Sequence, residues 1–498
     1  MATNYLDNYY ARLGISKTAT LEDVRTAFRR AARQFHPDTN KHTESNELFL
    51  QVQEAFEVLS DSTKRSHYDA ILPDDIDGPP ALMVNALYSR SQVVPNSQIQ
   101  NICVLLDLMA TPGREQELSK KPPLNVCLIL DTSTSMAGER LSQVLKAANQ
   151  FVRQLQPYDI LSVVAFNDRA EVLAPASAGH DNQRLISRMS TLKTGGGTEI
   201  YQGLKAGISQ VGQQLNAAYS NHVVLITDGR TYGDEAESLA LAGEAGDKGI
   251  TISAVGIGDA WNENFIDALV SNTGGSSIYA ASSTDIQQMI EKTLSNLNQT
   301  FANNVRLSYQ PGPGSTLSYA FRLAPEPGNI GDESPLSAGN IPLGKRLSLL
   351  LEFQADSDLA DKGEEFVLAA GDLRLDIPTQ AIPATTARFQ LSRPLAAADG
   401  TEAPPQVLVK AIGQLSLYRM QEESRAQIER GEPEAAAKGL RMLATHLLSM
   451  GDKGLARTAL LAAEEIKAGK ALDANSGKQI KYGTRALIQD PFEEMGAQ

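Results

Sequence analysis

The sequence predicts a multidomain protein: an all-α N-terminal segment, a doubly wound (Rossmann-like) α/β domain, a flanking β-sandwich-like segment and a C-terminal α-helical hairpin. Its 498 residues exceed what a single compact core normally holds. The apolar pattern changes along the chain from helical to alternating strand and helix, then to strand, and finally back to helix. An acidic stretch rich in Pro and Gly over residues 71–80 predicts a linker after the first segment.

Composition narrows the class of protein. The chain has 45 Lys and Arg against 59 Asp and Glu, a net charge of −14, which disfavours a general nucleic-acid-binding face. The acidic excess lies in residues 71–404, which hold 23 basic and 37 acidic residues. The two cysteines, Cys103 and Cys127, lie in apolar runs and are too few for a disulfide framework or a Cys-based zinc site. Neither a secretory signal nor an apolar run of about 18 residues is found, so we expect a cytoplasmic protein without a membrane span.

The second helix predicted within residues 5–70 carries a cationic face. Its apolar residues form one stripe, while Arg25, Arg29 and Arg33 recur at helical spacing on another face, with Arg30 beside them. A cluster of exposed guanidinium groups suits an acidic partner surface. We therefore expect this helix to dock a partner.

The tripeptide His36-Pro37-Asp38 follows this helix. Because Pro37 cannot continue a helix, His36 and Asp38 are predicted to lie in a loop that presents polar side chains. Residues 5–69 resemble a J-domain of the DnaJ family over the whole module. The matching motifs, in order, are Tyr9-Tyr10-Ala-Arg-Leu-Gly14, Glu22-Asp-Val-Arg-Thr-Ala-Phe28, Phe35-His-Pro-Asp38, Glu54-Ala-Phe-Glu-Val-Leu-Ser-Asp61 and Lys64-Arg65-Ser-His-Tyr-Asp69.

The resemblance implies a partner and roles for these residues. In the family, the basic second helix and the His-Pro-Asp loop dock on a DnaK-type chaperone and stimulate its ATP hydrolysis. Two positions depart from the family pattern, because Phe35 stands where Tyr is frequent and Thr39 where Lys is common. The implied docking residues are Arg25, Arg29, Arg30 and Arg33, and the implied trigger residues are His36, Pro37 and Asp38.

Two stretches, residues 81–118 and 301–395, contain short apolar runs typical of β-strands, broken by Pro, Gly and polar residues. They flank residues 120–298, where buried-strand runs alternate with amphipathic helical windows. That alternation predicts a parallel sheet covered on both faces by helices. The flanking stretches form either one β domain interrupted by the α/β domain or two separate segments, and the sequence leaves both arrangements open.

Polar residues follow several predicted strands of the α/β domain. Asp131, Ser133 and Ser135 follow the first strand, Thr198 closes a Gly-rich loop before a helix, and Asp228 ends a later strand. Open α/β sheets present their binding crevice at the carboxyl edge of the strands. Two carboxylates and three hydroxyls are oxygen ligands that suit a hard divalent cation such as Mg²⁺. Taken singly, such serines are usually helix caps and an Asp-Gly pair is a common turn, but together these residues predict a metal site.

Residues 120–298 resemble a von Willebrand factor A (VWA) domain. The resemblance implies a metal-ion-dependent adhesion site made by Asp131, Ser133, Ser135, Thr198 and Asp228. In the family, Mg²⁺ at this site leaves a coordination position open for a carboxylate of a protein ligand. Glu199 either supports a metal ligand or is an acid favoured by the helix dipole, and we favour the second interpretation.

Residues 405–490 return to Ala-rich helical windows, two of which are joined by a Gly451-Asp-Lys-Gly turn. This pattern predicts a helical hairpin with a role in packing or dimerisation.

Three functions can be weighed against the sequence. The first is a co-chaperone that captures a protein client with an exposed Asp or Glu and brings a DnaK-type ATPase to it. The second is an assembly scaffold in which the J-domain is mainly a tether. The third is a metal hydrolase, which needs a general base. His180 is predicted to lie in a loop and His222 at the start of a strand, so neither is expected to be that base. We therefore expect a non-enzymatic co-chaperone without nucleic-acid binding.

Overall fold

A computed structural model gives the structure of residues 9–35, 52–71, 82–95, 98–111, 122–179, 181–229, 231, 233–258, 261–280, 283–297, 299–356, 365–378, 384–396, 403–488 and 490. The chain divides into two compact units. The first comprises Met1–Lys121, Phe301–Ala411 and Asp490–Gln498, and the second comprises Pro122–Thr300 and Ile412–Gln489. Across the described residues, no helix has both the length and the apolar character required to cross a bilayer.

The N-terminal segment is helical, as predicted. Its described helices are α1 (Tyr9–Leu13), α2 (Leu21–Phe35), α3 (52–59) and α4 (Ser62–Ile71). A reciprocal cap starts α2, because the Thr20 hydroxyl accepts from the Asp23 amide at 3.2 Å and the Asp23 carboxylate accepts from the Thr20 amide at 2.8 Å. Phe28 of α2 stacks on Phe56 of α3 with ring centroids 4.2 Å apart, so the two apolar stripes face each other.

Polar contacts tie the first of these helices to the last. The Tyr10 hydroxyl donates to Asp69 Oδ1 at 2.5 Å and accepts from Arg65 Nε at 2.9 Å. Arg65 Nη2 also donates to the carbonyls of Lys17 and Ala19 at 2.8 and 2.7 Å. Three residues of the predicted motifs therefore hold the helical module together.

The remaining strands and helices are, in chain order, β1 (Leu82–Tyr88), β2 (Gln100–Ala110), β3 (Leu124–Asp131), α5 (Glu139–Gln154), β4 (Ile160–Phe166), β5 (Ala170–Ala178), α6 (Asn182–Ser190), α7 (Ile200–Gln213), β6 (Ser220–Thr227), α8 (Glu235–Asp247), β7 (Thr251–Ile257), α9 (Glu263–Ser271), β8 (Ser277–Ala280), α10 (Ser283–Leu297), β9 (Thr300–Pro311), β10 (Ser315–Ala324), β11 (Gly328–Asn329), β12 (Leu336–Pro342), β13 (Arg346–Ala355), β14 (Glu365–Asp376), β15 (Ala384–Pro394), α11 (Gln406–Glu429), α12 (Pro433–Ser449), α13 (Lys453–Lys467) and α14 (Ala474–Ala486). A 3₁₀ turn, Thr134–Met136, follows β3.

Two antiparallel sheets form a β sandwich in the first unit. One has the strand order β1-β2-β13-β10-β11 and the other β12-β9-β14-β15. Strand β2 pairs along its length with β13, from Gln100 opposite Ala355 to Met109 opposite Arg346. Strands from both sides of the α/β domain thus share one sheet, and the two sheets share one apolar core.

The α/β domain contains a six-stranded sheet in the order β5-β4-β3-β6-β7-β8. Strands β4, β3, β6, β7 and β8 are parallel, as predicted, but β5 is antiparallel to β4 at the edge of the sheet. The sequence pattern did not predict β5, because this strand contains Pro175 and is mostly exposed. An edge strand tolerates both features. Since β3 and β6 are neighbours, their carboxyl ends meet.

The C-terminal region has four described helices, α11 to α14, where the sequence predicted a hairpin. The hairpin itself is α12 and α13, and α14 packs beside α13. Helices α11 and α14 contact the α/β domain at α9. Lys481 and Arg485 of α14 form ion pairs with Asp267 at 2.6 and 2.7 Å, and Arg425 of α11 pairs with Glu263. These helices therefore belong structurally to the α/β domain.

Candidate metal centre

Asp131 is the last residue of β3 and is fully buried. Its Oδ2 accepts from the Thr227 hydroxyl at 2.6 Å, and its Oδ1 accepts from the Ser133 amide at 2.8 Å. Burial raises the pKa of the Asp131 carboxyl, and these hydrogen bonds counteract that shift only in part. Asp131 is thus a buried carboxylate with uncharged donors, and a bound cation would stabilise its charged form.

The turn after β3 brings two hydroxyls toward a second carboxylate. The hydroxyls of Ser133 and Ser135 lie 3.1 Å apart, and Ser135 Oγ donates to Asp228 Oδ1 at 2.6 Å. Ser133 is buried and Ser135 is exposed. Asp228, just beyond β6, is fully buried. The side chains that follow β3 and β6 therefore converge at the carboxyl edge of the sheet.

Thr198 completes the group from the loop that precedes α7. A Cβ at position 229 would lie 2.5 Å from Thr198 Oγ1, so Gly229 lets this hydroxyl approach the backbone next to Asp228. The loop is fixed to the turn after β3, because Thr134 Oγ1 donates to the Gly196 carbonyl at 3.0 Å and Gly195 N donates to the Thr132 carbonyl at 2.9 Å. The five predicted metal-site residues are thus brought together.

Arg140 is a residue of this site that sequence reasoning missed. Its guanidinium forms an ion pair with Asp228 Oδ2 and donates to the Ser135 carbonyl at 3.3 Å. The side chain is 38% exposed, whereas that of Asp228 is buried. A signal was present in the sequence, because a cation in the first turn of a helix is opposed by the helix dipole and needs another reason to be there.

The donor set fits a divalent cation. Its groups are carboxylate and hydroxyl oxygens, the ligands that Mg²⁺ prefers. Arg140 already places a positive group on Asp228, which indicates that the site favours a cation there. No cluster of three or more His, Cys, Asp or Glu side chains suited to a metal occurs among the described residues, because most donors here are hydroxyls. Glu199 precedes α7 with an exposed side chain that makes no capping hydrogen bond.

The predicted chaperone-docking residues are placed in part. Arg25, Arg29 and Arg30 are exposed on α2. Arg33 lies in the same helix, but its side chain falls outside the described positions. The trigger residues His36, Pro37 and Asp38 lie outside the described residues.

Family models match three parts of the chain. They are a DnaJ domain over residues 8–69, a von Willebrand factor type A domain over 125–292, and an Sll0103-like C-terminal alpha-helical domain over 406–490. The chain contains a DnaJ domain and a VWA domain. Both resemblances noted in the sequence are therefore confirmed, together with the multidomain fold class. Residues 8–69 are the J-domain of the chain, and residues 125–292 are its A domain.

Two relatives match very different shares of the chain. A chaperone protein DnaJ of Geobacillus stearothermophilus is 48% identical over 62 residues, which are 12% of this chain and 16% of that protein. An uncharacterized protein, sll0103, of Synechocystis sp. is 26% identical over 395 residues, which are 77% of this chain and 92% of that protein. The similarity to the DnaJ protein is thus confined to the J-domain.

Solved structures share the fold. A von Willebrand factor type A protein from Catenulispora acidiphila aligns with a TM-score of 0.60 at 14% identity, covering 80% of this chain and 96% of that one. The ArnB paralog VWA2 from Sulfolobus acidocaldarius aligns with a TM-score of 0.53 at 13% identity, covering 82% of this chain and all of that one.

Proposed function

We propose that this protein is a co-chaperone that brings a DnaK-type chaperone to a protein client and stimulates its ATPase there. The A domain captures the client in a Mg²⁺-dependent manner, and the J-domain acts on the ATPase. The observation that carries the proposal is that one chain joins a J-domain to an A domain in which two buried carboxylates and three hydroxyls converge.

Five residues would hold the metal, either directly or through water: Asp131, Ser133, Ser135, Thr198 and Asp228. Mg²⁺, or another divalent cation, supplies a Lewis-acidic coordination position when it is bound by few protein charges. Two carboxylates, one of them already paired with Arg140, leave the centre able to attract a further carboxylate. The client is therefore proposed to present an exposed Asp or Glu side chain.

On the J-domain, α2 is proposed to dock the ATPase through Arg25, Arg29, Arg30 and Arg33, because exposed guanidinium groups recognise carboxylates well. His36, Pro37 and Asp38 are proposed as the trigger. This division of labour requires that the protein and the DnaK-type chaperone share a compartment, which we propose is the cytoplasm.

A binding role is proposed for the A domain in preference to hydrolysis. Among the described residues, the groups that face the centre are the proposed ligands, hydroxyls and the Arg140 guanidinium. A guanidinium remains protonated and cannot serve as a general base.

The proposal can be tested with two single substitutions in the full chain. His36→Gln is expected to abolish stimulation of the ATPase while the client is still captured in the presence of Mg²⁺. Asp131→Asn is expected to lose the client while ATPase stimulation is kept. Steady-state ATP hydrolysis and affinity capture with Mg²⁺ or excess EDTA are the two measurements. Glu244→Gln is the matched control, because Glu244 is an exposed carboxylate in the last turns of α8.

Two results would contradict the proposal. Capture that persists in EDTA would exclude a metal-dependent A domain. Cellular function that persists in His36→Gln would exclude the co-chaperone role and favour a scaffold in which the J-domain is a tether.

A further inference from the structure

A cleft lies beside the metal centre at the same edge of the sheet. It has a volume of about 530 Å³, within the usual range for ligand sites. Thr132, which lies between the proposed ligands Asp131 and Ser133, lines it, as does Asn167 from the loop after β4. The wall formed by residues 191–193 leads directly into the loop that carries Thr198. The cleft and the metal centre are therefore built by the same loops.

The loops that separate cleft and metal centre are held by hydrogen bonds. Asn167 Nδ2 donates to the Gly195 carbonyl at 2.8 Å, and the Asn167 carbonyl accepts from the Glu199 amide at 2.8 Å. Gly195 N in turn donates to the Thr132 carbonyl at 2.9 Å. A ligand entering the cleft would meet a surface that is already formed, which lowers the entropy cost of binding.

The charged residues that line the cleft are mainly cations, whereas residues 71–404 as a whole carry a net negative charge. Residues 71–404 have a large excess of acidic residues, yet the cleft is lined by three cations, Arg169, Arg188 and Lys193, and one acid, Glu171. Arg188 pairs with Glu171 at 3.3 Å. Within the described part of the chain, the side chains of Arg169 and Lys193 have no carboxylate partner, and both are exposed. Two cations are thus available to a ligand.

We infer that this cleft is a second subsite for the client, an inference that rests on the proposed metal-dependent capture. The client binds as an acidic segment, with one carboxylate at the metal centre and further carboxylates at Arg169 and Lys193. Leu173 and Leu192 also line the cleft, so the aliphatic stems of glutamate side chains can pack on these two residues. The client is therefore recognised as an acidic stretch of protein and not as a lone acidic residue.

Two labelled peptides of equal length test this inference by fluorescence anisotropy on the full chain. One carries a single glutamate among Gly and Ser, and the other carries additional glutamates. In excess Mg²⁺ at low salt, the wild type is expected to bind the multi-glutamate peptide about tenfold more tightly than the single-glutamate peptide. The double variant Arg169→Ser, Lys193→Ser is expected to lose this advantage while its affinity for the single-glutamate peptide stays unchanged.

The control double variant is Lys146→Ser, Arg153→Ser, which removes the same charge from exposed positions of α5 and is expected to keep the advantage. If the advantage survives in the cleft variant, or is lost equally in the control, the second subsite is wrong although metal-dependent capture stands. If neither peptide binds in a Mg²⁺-dependent manner, the capture proposal fails and the subsite fails with it.

Discussion

The A domain and its attached helices contain two pairs of largely buried carboxylates with very different surroundings. Glu263 and Asp267 on α9 face four cations of the C-terminal helices: Arg425, Lys478, Lys481 and Arg485. Within the part of the chain that the structure describes, Asp131 and Asp228 at the sheet edge face hydroxyls and one cation, Arg140. The first pair is neutralised by its own chain, whereas the second is left short of positive charge. Carboxylates that cations of their own chain neutralise serve packing, whereas carboxylates left short of positive charge are suited to bind a cation.

The pKa directions agree with this division. Burial alone would raise the pKa of Asp267, but Arg485 and Lys481 hold it well below its usual range. At Asp131, burial prevails over the hydroxyl and amide donors, so its pKa is raised.

The largest effect is expected where the neutralised pair is broken. Asp267→Ala leaves Lys481 and Arg485 as buried charges without their partner, and should lower the free energy of unfolding by about 3 kcal/mol. Trp261 is the only tryptophan of the chain, is buried, and accepts from Lys478 Nζ through its carbonyl at 2.8 Å. Its fluorescence during urea unfolding therefore reports on this interface.

The exposed pair Arg441 and Glu464 supplies the control. Its atoms are also close, at 2.8 Å, but both side chains are exposed, so Glu464→Ala should cost less than about 1 kcal/mol. Metal affinity should be unchanged in Asp267→Ala. A large loss of metal affinity there would mean that the two carboxylate pairs depend on each other, contrary to the comparison.

At the other pair, Asp131→Asn should weaken Mn²⁺ or Mg²⁺ binding by about 100-fold, because it removes a charged ligand. The metal-free variant should be as stable as the wild type or more stable, since a buried carboxylate of raised pKa is replaced by a neutral amide. Isothermal titration with the metal and urea unfolding in EDTA measure the two quantities. Marked destabilisation of the metal-free variant would make Asp131 a structural residue.

Asp107 on β2 gives a third environment, a buried carboxyl whose partner is the Ser348 hydroxyl. Burial raises its pKa to about 7, although Arg346 and Ser348 lower it. The folded state binds the proton of the Asp107 carboxyl more tightly than the unfolded chain does. The stabilisation of the folded state by this proton is therefore complete below about pH 4 and disappears as the pH rises through about 7.

The free energy of unfolding of Asp107→Asn, relative to that of the wild type, should therefore be about 2 kcal/mol higher at pH 8 than at pH 5. Hydrogen exchange of the β2 amides at both pH values measures this difference in stability near Asp107. The Asp267→Asn variant supplies a contrast, because the pH dependence of its effect should be opposite. Since the pKa of Asp267 is lowered, its stabilisation is present at neutral pH and is lost only in acid. A pH-independent effect of Asp107→Asn would contradict the environment described for that carboxyl.

How far the sequence could predict these environments depends on the range of the interactions. Asp131 and Asp228 of the candidate metal site lie at the ends of neighbouring parallel strands, whose carboxyl ends meet, so local pattern and topology sufficed to group these two residues. The contacts of Asp267 with Lys481 and Arg485 join residues more than 200 positions apart. They depend on which helix faces meet, and no periodicity within one helix specifies that.

The edge strands, and the contacts that single side chains make between distant parts of the chain, also could not be predicted from the sequence. The short run of β8 and the exposed, Pro-containing β5 lack the apolar runs by which the central strands were predicted. Arg140 is a cation in the first turn of α5, which is an unfavourable position, but only the fold shows that it contacts Asp228.

Arg140 also provides the smallest and most discriminating effect. If Arg140 neutralises Asp228 in the absence of metal, a bound cation must compete with the guanidinium for this carboxylate. Arg140→Met should then tighten Mg²⁺ binding by about three- to tenfold. The change is modest because the Arg140 side chain is 38% exposed. Arg153→Met, an exposed arginine in the last turn of the same helix, should leave the affinity unchanged. Weaker binding in Arg140→Met would instead mean that the guanidinium orients Asp228 for the metal. The sign of this change therefore decides whether the edge pair lacks positive charge, as the comparison with α9 requires.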